Sequence, residues 1–181
     1  FIAFTGLTNI LIFFLQESLN WTTKASSGTL VVVGIIAIIV QGGLIGPLVK
    51  QFGEMRLTLI GSGFILVACA LLITAPKENA TINIYSAVSF LAVGAGLITP
   101  TLRALISKKL DVDKQGSILS NLQGLQSLGG VLGIAMAGRV YDSFGPKSPF
   151  IAGSVILLFM IYLIAEGKNN NSFNNQNSNE S

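Results

Sequence analysis

Val31-Val32-Val33-Gly34-Ile35-Ile36-Ala37-Ile38-Ile39-Val40 lies inside a stretch without a charged side chain from Ala25 to Val49. A helix rises about 1.5 Å per residue, so roughly 20 such residues cross the hydrocarbon layer of a bilayer. The stretch is long enough to span. A transmembrane barrel strand would instead alternate apolar and polar residues over about ten positions, and Val31–Val40 is continuously apolar. The reading is therefore a transmembrane helix.

Working outward, further uncharged runs cover Phe1–Gln16, Leu57–Pro76, Ala80–Leu102, Gln115–Gly138 and Ser148–Ala165. Charge, Pro, Gly or Asn separates them at Gln16–Lys24, Lys50–Arg56, Pro76–Asn79, Lys108–Lys114 and Asp142–Lys147. Spans are expected at residues 1–16, 27–49, 57–76, 82–106, 115–140 and 149–165, the first truncated. The fold class is all-α, a polytopic transmembrane helical bundle over residues 1–166. The Asn/Ser-rich segment 167–181 has almost nothing to bury and is predicted to be a disordered cytoplasmic tail. The chain opens on Phe1 within an apolar stretch and reads as a fragment without a signal peptide.

Composition supports the same class. Hydrophobic residues make up 51% and charged residues 10% of the 181 residues, and the mean hydropathy is +0.70. Soluble domains carry roughly a quarter charged residues. The net charge of +3 forms no basic stripe interleaved with aromatics, which argues against nucleic acid. There is no His and one Cys, Cys69, within an apolar block, so neither a zinc site nor a disulfide framework can be assembled. Cys69 reads as a lipid-facing or packing residue, and no cofactor or metal is expected.

The basic residues divide by side. Lys50, Arg56, Arg103, Lys108, Lys109, Lys114 and Lys168 fall on one, and Lys24, Lys77, Arg139 and Lys147 on the other. Cytoplasmic loops are enriched in Lys and Arg, so the first side and the carboxy terminus are read as cytoplasmic. Trp21 suits the interfacial aromatic belt at the outer end of the first span. Asn20-Trp21-Thr22 and Asn79-Ala80-Thr81 have glycosylation spacing on the outer side.

Three motifs occur in order. Gly46-Pro47-Leu48-Val49-Lys50-Gln51-Phe52-Gly53-Glu54-Met55-Arg56 resembles the loop of the major facilitator superfamily, Gly-x-Leu-x-Asp-x-x-Gly followed by basic residues. Gly46, Leu48, Gly53 and Arg56 match, and Lys50 stands at the Asp position, as in degenerate second-half copies of this loop. Gly94-Ala95-Gly96-Leu97-Ile98-Thr99-Pro100 is similar to the tenth helix of the drug:proton antiporter (efflux) branch, and Pro100 should kink it by removing a backbone bond. Gln115-Gly116 through Gly129-Gly130-Val131-Leu132-Gly133 to Gly138 resembles the eleventh helix.

The resemblance implies the carboxy-terminal half, spans seven to twelve, of a transporter that moves a small solute by alternating access between two six-helix halves. It implies proton-coupled efflux, with the missing amino-terminal half and the lipid bilayer as partners. No Asp, Glu, Lys or Arg lies deep in a complete span, so a proton-carrying carboxylate is expected in that missing half.

Polar side chains within spans must find a partner or water. Asn9, Gln41, Thr99, Gln123 and Gln126 are the candidate solute-cavity residues, accompanied by Thr5, Thr8, Ser86 and Ser89. Ser120, Gln123 and Ser127 follow i, i+3, i+7 spacing and form one stripe, with Asn121 pointing elsewhere. The plainer role for such amides is an interhelical hydrogen bond, and for the Gly129-x-x-x-Gly133 and Gly42/Gly43/Gly46 faces it is static packing. Arg103 is read as snorkelling toward headgroups, with a gate contact as the alternative. Other readings of the chain are a non-transporting membrane subunit or receptor-like protein, and an uptake carrier. An enzyme would need a convergent nucleophile, acid and base or metal ligands, which these residues do not offer.

Overall fold

The computed structural model describes the backbone over residues 2–76, 81–108 and 112–177, and side chains over 5–76, 81–108, 116–164 and 166. The side chains of Lys77, Lys109, Lys114 and Lys168, and the Asn79-Ala80 part of the second glycosylation triplet, lie outside these residues.

The helices are α1 (Ile2–Ser18), α2 (Thr23–Ile39), α3 (Ile45–Phe52), α4 (Glu54–Thr74), α5 (Thr81–Ser107), α6 (Val112–Phe144) and α7 (Ser148–Asn177). Thr22 starts α2 by accepting a hydrogen bond from the Ala25 amide at 3.3 Å through its side chain. A π-helical turn, Val40–Leu44, joins α2 directly to α3. Gly53, at φ +76° and ψ 158°, breaks the chain between α3 and α4 in a region that a Cβ would strain. Gly145, at φ +91°, separates α6 from α7 in the same manner. α7 continues through the Asn/Ser-rich segment to Asn177, where composition predicts disorder. A helix already formed over its apolar part extends at one backbone bond per added residue.

Among the described residues, three helical stretches have the length and hydropathy to cross a membrane: Thr23–Phe52, Glu54–Thr74 and Thr81–Ser107. Ser148–Ile164 is a shorter apolar helix. α1 has 17 residues. α6 is long, at 33 residues, but Asn121, Gln123 and Gln126 lower its hydropathy.

Helix pairing follows the small residues. The most extensive contact is α4 against α5, followed by α1 against α6. Where α4 crosses α5, a Cβ on Gly94 would lie 2.6 Å from the Gly61 carbonyl oxygen, and one on Gly61 would lie 2.9 Å from that of Gly94. Where α1 crosses α6, a Cβ on Gly6 would meet the Gly133 carbonyl oxygen at 2.7 Å. Only glycine lets the backbones come this close. α7 packs on α1 and α4, with Phe14 and Phe150 edge to face at 5.2 Å. The main core gathers Leu11, Phe14, Ile65, Leu72, Val88 and Phe150, and a smaller cluster joins Val40, Leu57 and Leu97. Cys69 is buried in the main core, so of its two expected positions it takes packing.

Outside, Val31, Ile35 and Ile38 on α2, Leu128 and Val131 on α6, and Val155 and Phe159 on α7 are exposed. Such apolar faces suit lipid or another helical bundle and would be costly in water.

Candidate solute cavity

Two polar regions interrupt the apolar bundle. The first is a cavity of about 130 Å³ between α1, α2 and α5, with Thr8, Thr29, Gln41 and Thr99 among its lining residues and Leu11, Val33 and Leu91 forming apolar wall. Gln41 sits on the π-turn, a wider turn that offsets the side-chain directions of the helix it interrupts. Gly96 of α5 makes room for that turn, since a Cβ there would lie 3.0 Å from Val40 Cγ1. Pro100 lies inside α5 and has no N–H, so the Gly96 carbonyl lacks its usual helical donor beside the cavity. The Thr29 hydroxyl donates to the Ser26 carbonyl at 2.6 Å. Gln41 and Thr99, far apart in sequence, thus line one space.

The second region is a wide cleft of about 540 Å³ between α5 and α6, lined by Arg103, Ala104, Ser107, Leu119, Ser120 and Gln123. Arg103 turns toward α6 and donates from Nη2 to Gln123 Oε1 at 2.7 Å and to Gln126 Oε1 at 3.0 Å. The i, i+3 spacing of the two glutamines brings both amides to one guanidinium corner. Ser120 and Ser127 bond within α6, to the Ser117 carbonyl at 2.8 Å and the Gln123 carbonyl at 3.0 Å. Gln123 and Gln126 therefore stand apart from Gln41 and Thr99. Asn9 joins neither group: it is exposed, and its amide donates to the Thr5 carbonyl of its own helix at 2.9 Å.

The loop-motif residues are spread along the α3–α4 junction. Leu48 packs against the Val40, Leu57 and Leu97 cluster, Gly53 supplies the positive φ, Gly46 faces open space, and Arg56 is exposed. Lys50, in the last turn of α3, is exposed. Next to this junction Glu54 pairs with Lys108 across the ends of α4 and α5 at 2.5 Å. One turn deeper, Thr58 and Thr101 share a buried hydrogen bond of 2.9 Å. Neither link is visible in the sequence, because each joins residues more than forty positions apart with no local pattern to pair them. Among the described residues no group of His, Cys, Asp and Glu could hold a metal ion.

Comparison with known proteins agrees with this architecture. The family model described as Major Facilitator Superfamily matches residues 1–134. The chain is 26% identical over 130 residues to the class C tetracycline resistance protein of Escherichia coli, covering 72% of this chain and 32% of that protein. It is 28% identical over 157 residues to the class G tetracycline resistance protein of Vibrio anguillarum, covering 82% of this chain and 38% of that protein. It is 24% identical over 131 residues to the human Hippocampus abundant transcript 1 protein, covering 72% of this chain and 26% of that protein. The chain thus spans about a third of the length of the curated relatives it matches. No solved structure matches it significantly. With a family match that runs from the first helix into the sixth and an all-helical, apolar-surfaced bundle beneath it, this integral membrane chain belongs to the Major Facilitator Superfamily.

Proposed function

We propose that this chain forms a six-helix half of a secondary transporter that exports a small solute in exchange for protons. The observation that carries the reading is the gathering of Thr8, Gln41 and Thr99 around one cavity in an otherwise apolar bundle. A solute crossing the membrane can bond to polar groups that line such a cavity, including groups that also bond within the protein. Transport proceeds by alternating access, with this half rocking against a second half around a site near the midplane. The proton-carrying carboxylate belongs to that second half. The protein sits in the cell membrane with its carboxy terminus in the cytoplasm, because Lys50, Arg56, Arg103 and Lys108 gather on one side.

Tetracycline is the first solute to test, since two of the relatives described above are named for resistance to it. The full-length protein in everted membrane vesicles should accumulate tetracycline when a proton gradient is imposed and lose it when the gradient is collapsed. Gln41→Ala should raise KM more than it lowers kcat, as removal of a binding contact does. Accumulation that ignores the gradient would refute proton exchange, and an unchanged KM would remove Gln41 from the solute path.

A further inference from the structure

The cavity between α1, α2 and α5 runs along α2 from Thr29 to Gln41, roughly 18 Å at about 1.5 Å per residue. Its end nearest the α1–α2 turn is shut. Thr29 lines the cavity yet is 0% exposed, and Ser26, one turn nearer that end on the same face, is fully buried as well. Two aromatic side chains stand there. Trp21, in the turn, meets Tyr85 of α5 with ring centroids 6.0 Å apart. The Tyr85 hydroxyl reaches α2 beside Thr29, 3.5 Å from where a Cβ on Gly28 would lie. Three observations mark this closure as separable. The rings meet at 41°, neither stacked nor edge to face, the two arrangements that aromatic pairs prefer. They also ride on different helices: the Trp21 N–H donates to the Leu15 carbonyl of α1 at 3.1 Å, whereas Tyr85 belongs to α5, and α1 scarcely touches α5 directly. Finally, the closed arrangement leaves the Ser26 hydroxyl buried with no hydrogen-bond partner among the described residues, and water admitted by opening would supply one.

We infer that Trp21 and Tyr85 form an aromatic lid over this end of the cavity, which opens when α5 draws away from the α1–α2 turn. This rests on the transport reading above, which puts that end on the outer side of the membrane. Shut, the lid separates the outer solution from Thr29 and the polar residues deeper in the cavity. Gly28 leaves α2 room for the Tyr85 hydroxyl in the shut position.

Thiol labelling reads the lid without flux. Thr29→Cys is introduced into the full-length protein with Cys69 and any other native cysteine replaced by alanine, and a charged, membrane-impermeant methanethiosulfonate is added to right-side-out vesicles. Labelling should be slow but complete in this parent, and about ten-fold faster with Trp21→Ala or Tyr85→Ala, as expected for losing an aromatic contact. Tyr85→Phe keeps the ring and should keep the parent's rate. Val33→Cys, deeper in the same cavity, repeats the comparison if Thr29→Cys does not fold. Thr101→Cys, buried against Thr58 in the α4–α5 seam, should stay unlabelled throughout, which separates a lifted lid from a loosened bundle. Equal rates in the parent and both alanine variants, or an acceleration that Thr101→Cys shares, overturns the lid. So does a parent labelled as fast as Asn20→Cys, an exposed position in the turn, and so does a parent that never labels, which would be a fixed plug. Asn20→Cys also reports orientation: if it labels only in everted vesicles, the topology reading fails and the same comparison is run there. A protein inactive on tetracycline would leave the labelling result standing, so the two readings fail separately.

Discussion

Gly94→Ala offers the sharpest test of how this bundle is held together. The added Cβ would lie 2.6 Å from the Gly61 carbonyl oxygen and 2.6 Å from Ile65 Cγ1, against an ordinary contact that begins at 3.4 Å. Closing that difference (3.4 − 2.6) means parting α4 and α5 by roughly 0.8 Å at their crossing. The carbonyl is backbone and cannot swing aside, so the whole crossing must open. Overpacking of this kind costs about 1–3 kcal/mol. Alanine's better helix propensity offsets at most about 1 kcal/mol of it. Gly63, also on α4, has nothing within 4 Å of its would-be Cβ, so Gly63→Ala receives the propensity gain without the clash. The two substitutions should therefore differ by about 2 kcal/mol in stability, with Gly61→Ala behaving like Gly94→Ala. Equilibrium unfolding of the full-length protein in mixed micelles, followed by circular dichroism, measures the difference. If Gly94→Ala and Gly63→Ala agree within about 0.5 kcal/mol, the α4–α5 crossing does not depend on the glycine pair.

Other perturbations reach different parts of the structure. A double-mutant cycle on Thr58→Val and Thr101→Val should return a coupling of about 0.6 kcal/mol, a typical value for a hydrogen bond between membrane helices, and a zero coupling would dissolve that link. Gly53→Ala should destabilise by about 1–3 kcal/mol, because φ +76° with ψ 158° is a backbone region that side chains scarcely enter; the same unfolding assay reads it. Cys69, 1% exposed, should resist N-ethylmaleimide in the folded protein and react once it is unfolded, and rapid labelling of the folded form would move it to a lipid- or water-facing surface.

The order and extent of the helices were legible because charge exclusion acts locally: wherever the chain crosses an apolar slab, charged residues are pushed to its ends. Lys24, Lys50, Arg56, Lys108 and Lys147 mark those ends without any knowledge of the fold. Pairing was not legible. Gly129-x-x-x-Gly133 and Gly42/Gly43/Gly46 look alike as small-residue faces, yet Gly133 takes Gly6 against its carbonyl while Gly42, Gly43 and Gly46 face open space. A small residue permits close approach but does not name its partner, and the tightest crossing, Gly61 on Gly94, has no repeated pattern to announce it. The π-turn was hidden for a related reason: it depends on Val40 fitting over Gly96, a contact between helices distant in sequence. For Arg103, long side chains near a span end usually reach for headgroups. Two amides one turn apart on α6 gave the only hint that it would lean on that helix, where it stays exposed.

Each polar region borders one thinly packed pair of helices. α4 on α5 and α1 on α6 are close-packed seams joined by glycines, whereas α1 meets α2, and α5 meets α6, only sparsely. Gln41 and Thr99 sit at the junction of α1, α2 and α5, and Arg103, Gln123 and Gln126 at that of α5 and α6. An amide or guanidinium pressed into a close-packed seam would have to satisfy every donor with protein, at a cost of about 1–3 kcal/mol for each one left over. In a loose junction water or a solute can complete the set. The same sparseness leaves α5, which borders both regions, tied firmly to α4 and weakly to α6. A shift of the α4–α5 pair relative to α1 and α6 would therefore reshape both polar regions while leaving each glycine seam intact. If the pair does move as a body, a bifunctional maleimide crosslink between Ala104→Cys and Leu119→Cys, whose side chains both line the α5–α6 cleft, should arrest transport while leaving helical content unchanged. Full flux through the crosslinked protein would show that α5 and α6 need not part.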